Sequence, residues 1–275
     1  MSQLNQFPPG LPEWFAALLG AWLIIGAGVY FSLGRFLVRG GKVNAREFAG
    51  PDLAVCCMFV LWFGVHIVKG FGGPEHEVTQ NDIIQGATFY VAIVAGLGMF
   101  LQMRGINPFH QFGITRLNVF ICAAIAVGLL IAADPLILLI EQITTKVLNG
   151  KAQPQNIVEY FMNASQASDQ QAVSLLMVLA VVVAPVAEET LFRGYIYGVL
   201  KRYAGPFVAA ILSATIFAAM HLNLGALPAL FVLALCLTVA YEATGSLLVN
   251  IVMHGLFNLS MLLAMLEMAR HGAAP

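Results

Sequence analysis

Charge is scarce in this 275-residue chain. Lysine and arginine number 13 and aspartate and glutamate 14, together 10% of the residues, for a formal net charge of −1. A soluble domain carries roughly 25% charged residues, so this chain is not built to face water on all sides. It has no basic run, which argues against a nucleic-acid partner. Cysteine is also sparse. Cys56, Cys57, Cys122 and Cys236 all lie within apolar stretches and show no C-x-x-C spacing, so buried thiols are expected rather than disulfides or zinc ligands. Internal repeats, low-complexity tracts and the His-Glu-x-x-His signature of zinc peptidases are all missing. The first apolar stretch lacks a basic leader and a cleavage site, and is read as a retained helix.

What remains is apolar. Hydrophobic residues make up 60% of the chain and the mean hydropathy is +0.84. Stretches long enough for a bilayer fall at Leu11–Leu33, Leu53–Val68, Ile83–Met103, Leu117–Ala133, Ser174–Leu200, Pro206–Leu222, Ala226–Tyr241 and Leu247–Leu266. The expected fold is an all-α, polytopic membrane helix bundle of about eight transmembrane helices around a mid-membrane polar cavity. Asp134, before Pro135, is expected to be interfacial and to end a helix, and His66 to sit in the core or a cavity. Arg35, Arg39, Lys42, Arg46, Arg104, Arg116, Lys201 and Arg202 share one side if the chain starts outside. Lys69, Lys146, Lys151 and Arg270 share the other with acidic Glu75, Glu77, Asp82, Glu141, Glu159 and Asp169. The positive-inside rule then puts the basic loops in the cytoplasm and both termini outside.

The polar stretch from Thr144 to Gln171 divides the chain. Residues 1–150 are read as N-terminal helices and loops, 151–172 as an extracytoplasmic loop or interfacial helix around Ile157, Tyr160 and Phe161, and 173–275 as the helices bearing the chemistry.

Three patterns stand out in that last part: Glu188-Glu189-Thr-Leu-Phe-Arg193, Phe217-Ala-Ala-Met-His221 and His254-Gly-Leu-Phe-Asn258. Each contains an i, i+4 pair, so its key residues share a helix face. Carboxylates within a bilayer are costly and mark functional sites by default. Glu189 and Arg193 suit a structural ion pair, which leaves Glu188 about 100° around the helix and free to act. Depth agrees. With a turn near Ala204–Gly205, Glu188 and His221 lie nearly equidistant from it, Glu188 about 25 Å from the tip. With a turn near Thr244–Gly245, His254 lies about 14 Å along the last span. His221 stands two residues before an Asn223-Leu-Gly225 turn, so its helix ends at that depth, which is tolerated where backbone lines a cavity.

A carboxylate and an imidazole that share a water can activate it for attack on a carbonyl. A second imidazole and an amide, His254 and Asn258, can donate to the developing oxyanion. No serine or cysteine in these patterns stands as a nucleophile beside a base. The three patterns resemble, intact and in order, the signature of the type II CAAX prenyl endopeptidases and bacteriocin-processing or immunity proteins, the intramembrane glutamic proteases. That signature is Glu-Glu-x-x-x-Arg, Phe-x-x-x-His and His-x-x-x-Asn. The resemblance covers about Ser174–Met265 and implies that Glu188 and His221 activate water, that His254 and Asn258 form the oxyanion site, and that Glu189 and Arg193 hold the motif in shape. Phe217 is read as packing on the pocket wall. No cofactor is implied. The expected partners are a peptide or protein substrate and membrane lipids, and the expected location is a prokaryotic plasma membrane. The alternatives are a zinc peptidase with Glu188, His221 and His254 as ligands, a non-catalytic immunity or scaffold protein of the same fold, and a proton-coupled transporter.

Overall fold

The computed structural model describes residues 12–70, 78–149 and 156–271. Glu75, Glu77 and Lys151, counted above for orientation, lie outside the described residues, as do the start of the first span and the first residues of the 151–172 segment. Among the described residues every regular element is helical. They are α1 (Glu13–Arg39), α2 (Gly50–Gly70), α3 (Gln80–Met103), a single turn α4 (Pro108–Gln111), α5 (Val119–Val147), α6 (Asn156–Gln166), a continuous α7 (Gln170–Ala204), α8 (Pro206–Ala219), α9 (Leu227–Thr244) and α10 (Leu247–Arg270). The chain is an all-α, multi-pass integral membrane protein.

Seven of these helices are long and apolar enough to cross a membrane, and α8, with 14 residues, is not. At 1.5 Å per residue α8 reaches about 21 Å, short of a hydrocarbon core of roughly 30 Å. The sixth expected span, Pro206–Leu222, is thus a partial one that stops inside the bundle. Large apolar side chains cover the outside, among them Ile24, Phe31, Met103 and Phe207. In a bilayer this surface faces lipid. Cys57 and His66, expected inside, are both on this exposed surface of α2, while Cys56, Cys122 and Cys236 are buried.

Local chemistry sets the helix ends. Thr79 and Asp82 form a reciprocal capping box at α3, and the side chains of Asn118 and Asp169 accept from Phe120 N and Ala172 N at the starts of α5 and α7. Gly205 at φ 81° and Pro206 turn α7 into α8, and Gly245 at φ 69° ends α9. Asp134-Pro135 does not end a helix: α5 runs through it to Val147. Pro135 has no N–H for the carbonyl of Ile131, but Trp22 of α1 donates its indole N–H to that oxygen at 2.7 Å. A neighbouring helix supplies the hydrogen bond that the proline removes.

Helix α5 packs on α1, α9 and α10, and α7 packs on α3, α8 and α10. One apolar core gathers Phe63, Leu101, Tyr195, Phe217 and Leu247, and a second gathers Ala126, Ala133, Leu237 and Met253. The helix α6 sets Phe161 and Met162 into a third with Leu176 and Met265. The basic connections meet at one end of the bundle. Lys42 N donates to Glu242 O at 2.8 Å, Lys201 Nζ to Val43 O at 2.9 Å, and Gln111 Nε2 to Asn44 O at 2.8 Å. Buried Asp52 pairs with Arg104 there, and buried Glu242 pairs with Lys201 and Tyr197.

Candidate active site

The site is built on α7, which leaves the α-helical register twice, as π-helix over Leu179–Val183 and Glu189–Ile196. Such wide turns are frequent at functional sites. The first leaves a carbonyl for a neighbouring helix to serve. Ala184 N bonds to Leu179 O, five residues back, so in this register Ala180 O would need the N–H of residue 185, a proline. Asn258 Nδ2 of α10 donates to that carbonyl at 2.8 Å. Gly255, one turn earlier on α10, lies so close to Val181 O that a Cβ there would collide with it.

The two glutamates have different environments. Glu189 is fully buried and held from three sides. Its Oε1 accepts from Arg193 Nη1 at 2.8 Å and from His254 Nδ1 at 2.9 Å, and its Oε2 from Asn250 Nδ2 at 3.3 Å. The Arg193 guanidinium lies over the Phe217 ring, 4.3 Å from its centroid, and burial makes that cation–π contact worthwhile. Glu188 is turned elsewhere. Its Oε1 accepts from the phenol of Tyr90 in α3 at 2.6 Å, and its Oε2 lies 3.8 Å from His254 Nε2.

His221 sits where α8 gives out. Its backbone N–H bonds to Ala218 O rather than Phe217 O, and its ring Nδ1 takes the freed Phe217 carbonyl at 2.9 Å. A carbonyl only accepts, so Nδ1 carries the proton and Nε2 of the neutral ring is the basic nitrogen. The chain then turns at Leu222, whose φ of 51° is left-handed and unusual for a residue with a side chain. The same reasoning puts a proton on His254 Nδ1, which donates to a carboxylate and leaves Nε2 pointing at Glu188.

A cavity of about 240 Å³ opens beside these groups. Glu188, His221, Tyr90 and Phe217 line it, and most of the remaining wall is apolar, from Phe63, Phe89, Ile93, Leu191, Phe192 and Met220. Glu188 and His221 thus share one cavity, with His254 beside Glu188 behind it. Asn258 is engaged with the backbone of α7, one amide hydrogen being committed to Ala180 O. Among the described residues no three histidine, cysteine, aspartate or glutamate side chains are placed to hold a metal ion.

Two residues of this arrangement, Asn250 and Tyr90, lie outside the three sequence patterns. Asn250 was legible, since Asn250, His254 and Asn258 recur every four residues along one face of α10. Tyr90 was not: it is a tyrosine in an apolar span, about a hundred residues from the glutamate it touches.

Residues 170–260 match the family described as type II CAAX prenyl endopeptidase Rce1-like. That match covers a third of the chain's length. It is also similar to a protein of Bacillus subtilis (strain 168) named "Putative membrane peptidase YdiL", with 30% identity over 101 residues, 37% of this chain and 41% of the relative. The match therefore spans less than half of that relative. No solved structure matches the chain.

Proposed function

We propose that the protein is an intramembrane glutamic endopeptidase that processes a peptide or protein precursor in a prokaryotic plasma membrane, its basic loops in the cytoplasm. The observation that carries this reading is the inequality of the two glutamates. Glu189 is saturated by Arg193, His254 and Asn250. Glu188 keeps an oxygen directed toward His254 and lines a cavity with His221. The first is structural, and the second is available as a base.

In this mechanism water loses a proton to Glu188, assisted by His221 Nε2, and its oxygen attacks the peptide carbonyl carbon. The carbonyl oxygen becomes an oxyanion and receives hydrogen bonds from His254 and from the second amide hydrogen of Asn258. For Nε2 to donate, both ring nitrogens of His254 carry a proton, Nδ1 facing the Glu189 carboxylate at 2.9 Å. The C–N bond then breaks as Glu188 passes its proton to the leaving nitrogen, giving a carboxylic acid and an amine, and the acid proton passes to the amine to leave a carboxylate and an ammonium. The apolar cavity walls favour a substrate that offers an apolar residue beside the scissile bond. The resemblance to a named membrane peptidase and to prenyl endopeptidases supports the same class of reaction.

Terminus mapping of membrane proteins, in cells carrying the wild-type chain or Glu188→Ala, tests the proposal. New termini confined to the wild type are expected. Identical termini with both proteins at equal abundance would sink the peptidase reading and favour the immunity or scaffold role.

A further inference from the structure

The Rce1-like segment starts at residue 170, yet a contact to Glu188 comes from far outside it. We infer that Tyr90 of α3 is a positioning residue for Glu188, so that the N-terminal helices complete the active site rather than merely enclose it. The inference rests on the peptidase reading above.

An ionised carboxylate has no proton to give, so the 2.6 Å contact is a hydrogen bond from the phenol to Glu188 Oε1. Bonds of this length to a charged acceptor are about twice as strong as neutral ones. The surroundings give the bond a purpose. Arg193 spends Nη1 on Glu189, while its Nε and Nη2 are buried and find no hydrogen-bond partner among the described residues. A Glu188 side chain free to rotate has a cation one turn along its own helix to fall back on. Tyr90 holds Oε1 on the α3 side, which keeps Oε2 toward His254 and leaves the carboxylate lining the cavity. Gly86, one turn before Tyr90, lines the same cavity, so this face of α3 forms a wall of the site and supplies a hydroxyl to it.

Tyr90→Phe removes one oxygen and keeps the ring. The full-length protein in lipid vesicles is examined by infrared spectroscopy, with the carboxylate stretching bands of Glu188 assigned by their loss in Glu188→Gln. In Tyr90→Phe the splitting of those bands is expected to change, because one oxygen has lost its donor. Processing, measured in cells on the termini that depend on Glu188, is expected to fall roughly 10- to 100-fold, the worth of a hydrogen bond to a charged group. Tyr30→Phe deletes a hydroxyl that donates to Leu129 O at 2.9 Å, far along the sequence on α1, and should change neither readout. A dead Glu188→Gln beside a fully active and spectroscopically unchanged Tyr90→Phe overturns the Tyr90 assignment alone. Full processing by Glu188→Gln overturns the peptidase reading, and with it any part for Tyr90 in catalysis.

Discussion

Neighbouring residues of the same type owe their different roles here to what surrounds each of them. Glu189 is fully buried and its charge is balanced by Arg193, itself 1% exposed, so neither can be removed alone without stranding the other. Breaking such a pair costs about 3–5 kcal/mol, because an uncompensated charge remains inside. Glu189→Gln or Arg193→Met should therefore lower the unfolding temperature of the purified protein and its abundance in membranes. Glu188→Gln should leave both near wild type, since it only weakens the contact with Tyr90, while processing stops. Equal destabilisation by Glu188→Gln and Glu189→Gln would show that the carboxylates form one structural unit. Part of this asymmetry was legible beforehand, because the i, i+4 spacing of Glu189 and Arg193 pairs them on any helix. The ties of Glu189 to His254 and Asn250 were not, since they depend on how closely α10 approaches α7, and that closeness comes from Gly255 meeting Val181 O.

Two prolines within membrane helices show how elements depend on one another. Pro135 leaves Ile131 O to Trp22, and Pro185 leaves Ala180 O to Asn258. Local sequence suggests a break at Asp134-Pro135, but the donor that lets α5 continue lies on α1 and is invisible to any window along the chain. The pairing of Pro185 and Asn258 predicts thermodynamic coupling. Asn258→Leu should cost about 1–3 kcal/mol with Pro185 present, since a buried carbonyl loses its donor. With Pro185→Ala the restored N–H can serve α7 itself, so the same Asn258→Leu change should cost less. A double-mutant cycle by thermal or chemical unfolding measures the difference, and strict additivity would refute the coupling. On α3, a Cβ at Gly86 would meet no atom within 4 Å, although Gly86 lines the cavity. Gly86→Leu should then be accommodated in the fold while its side chain takes up cavity space. The expected result is lost processing at normal protein abundance, and unaltered processing would mean the substrate does not use this cavity.

Across the whole molecule, the apolar pattern revealed a membrane helix bundle and nearly all of its crossings, because hydropathy reports the solvent directly. It overstated α8, because an apolar run of adequate composition does not disclose where the helix stops, here at Ala219 just before His221. That early stop is what brings an imidazole to the depth of Glu188. The distribution of charge predicts the molecule's direction in the bilayer. The connections bearing Lys42, Arg104, Arg116 and Lys201 converge on one end, tied together through Glu242 and Asp52. By the sequence pattern eight lysines and arginines fall on that side and four on the other. By the positive-inside rule, an imbalance of this kind predicts a cytoplasmic basic end. Alkaline phosphatase fused after Gly205 should consequently be inactive, and fusions after Asn149 or His271 active, since the enzyme folds only outside the cytoplasm. Inverted activities would place the basic end outside, and the cavity of Glu188 and His221 would then have to receive its substrate from a chain oriented the other way.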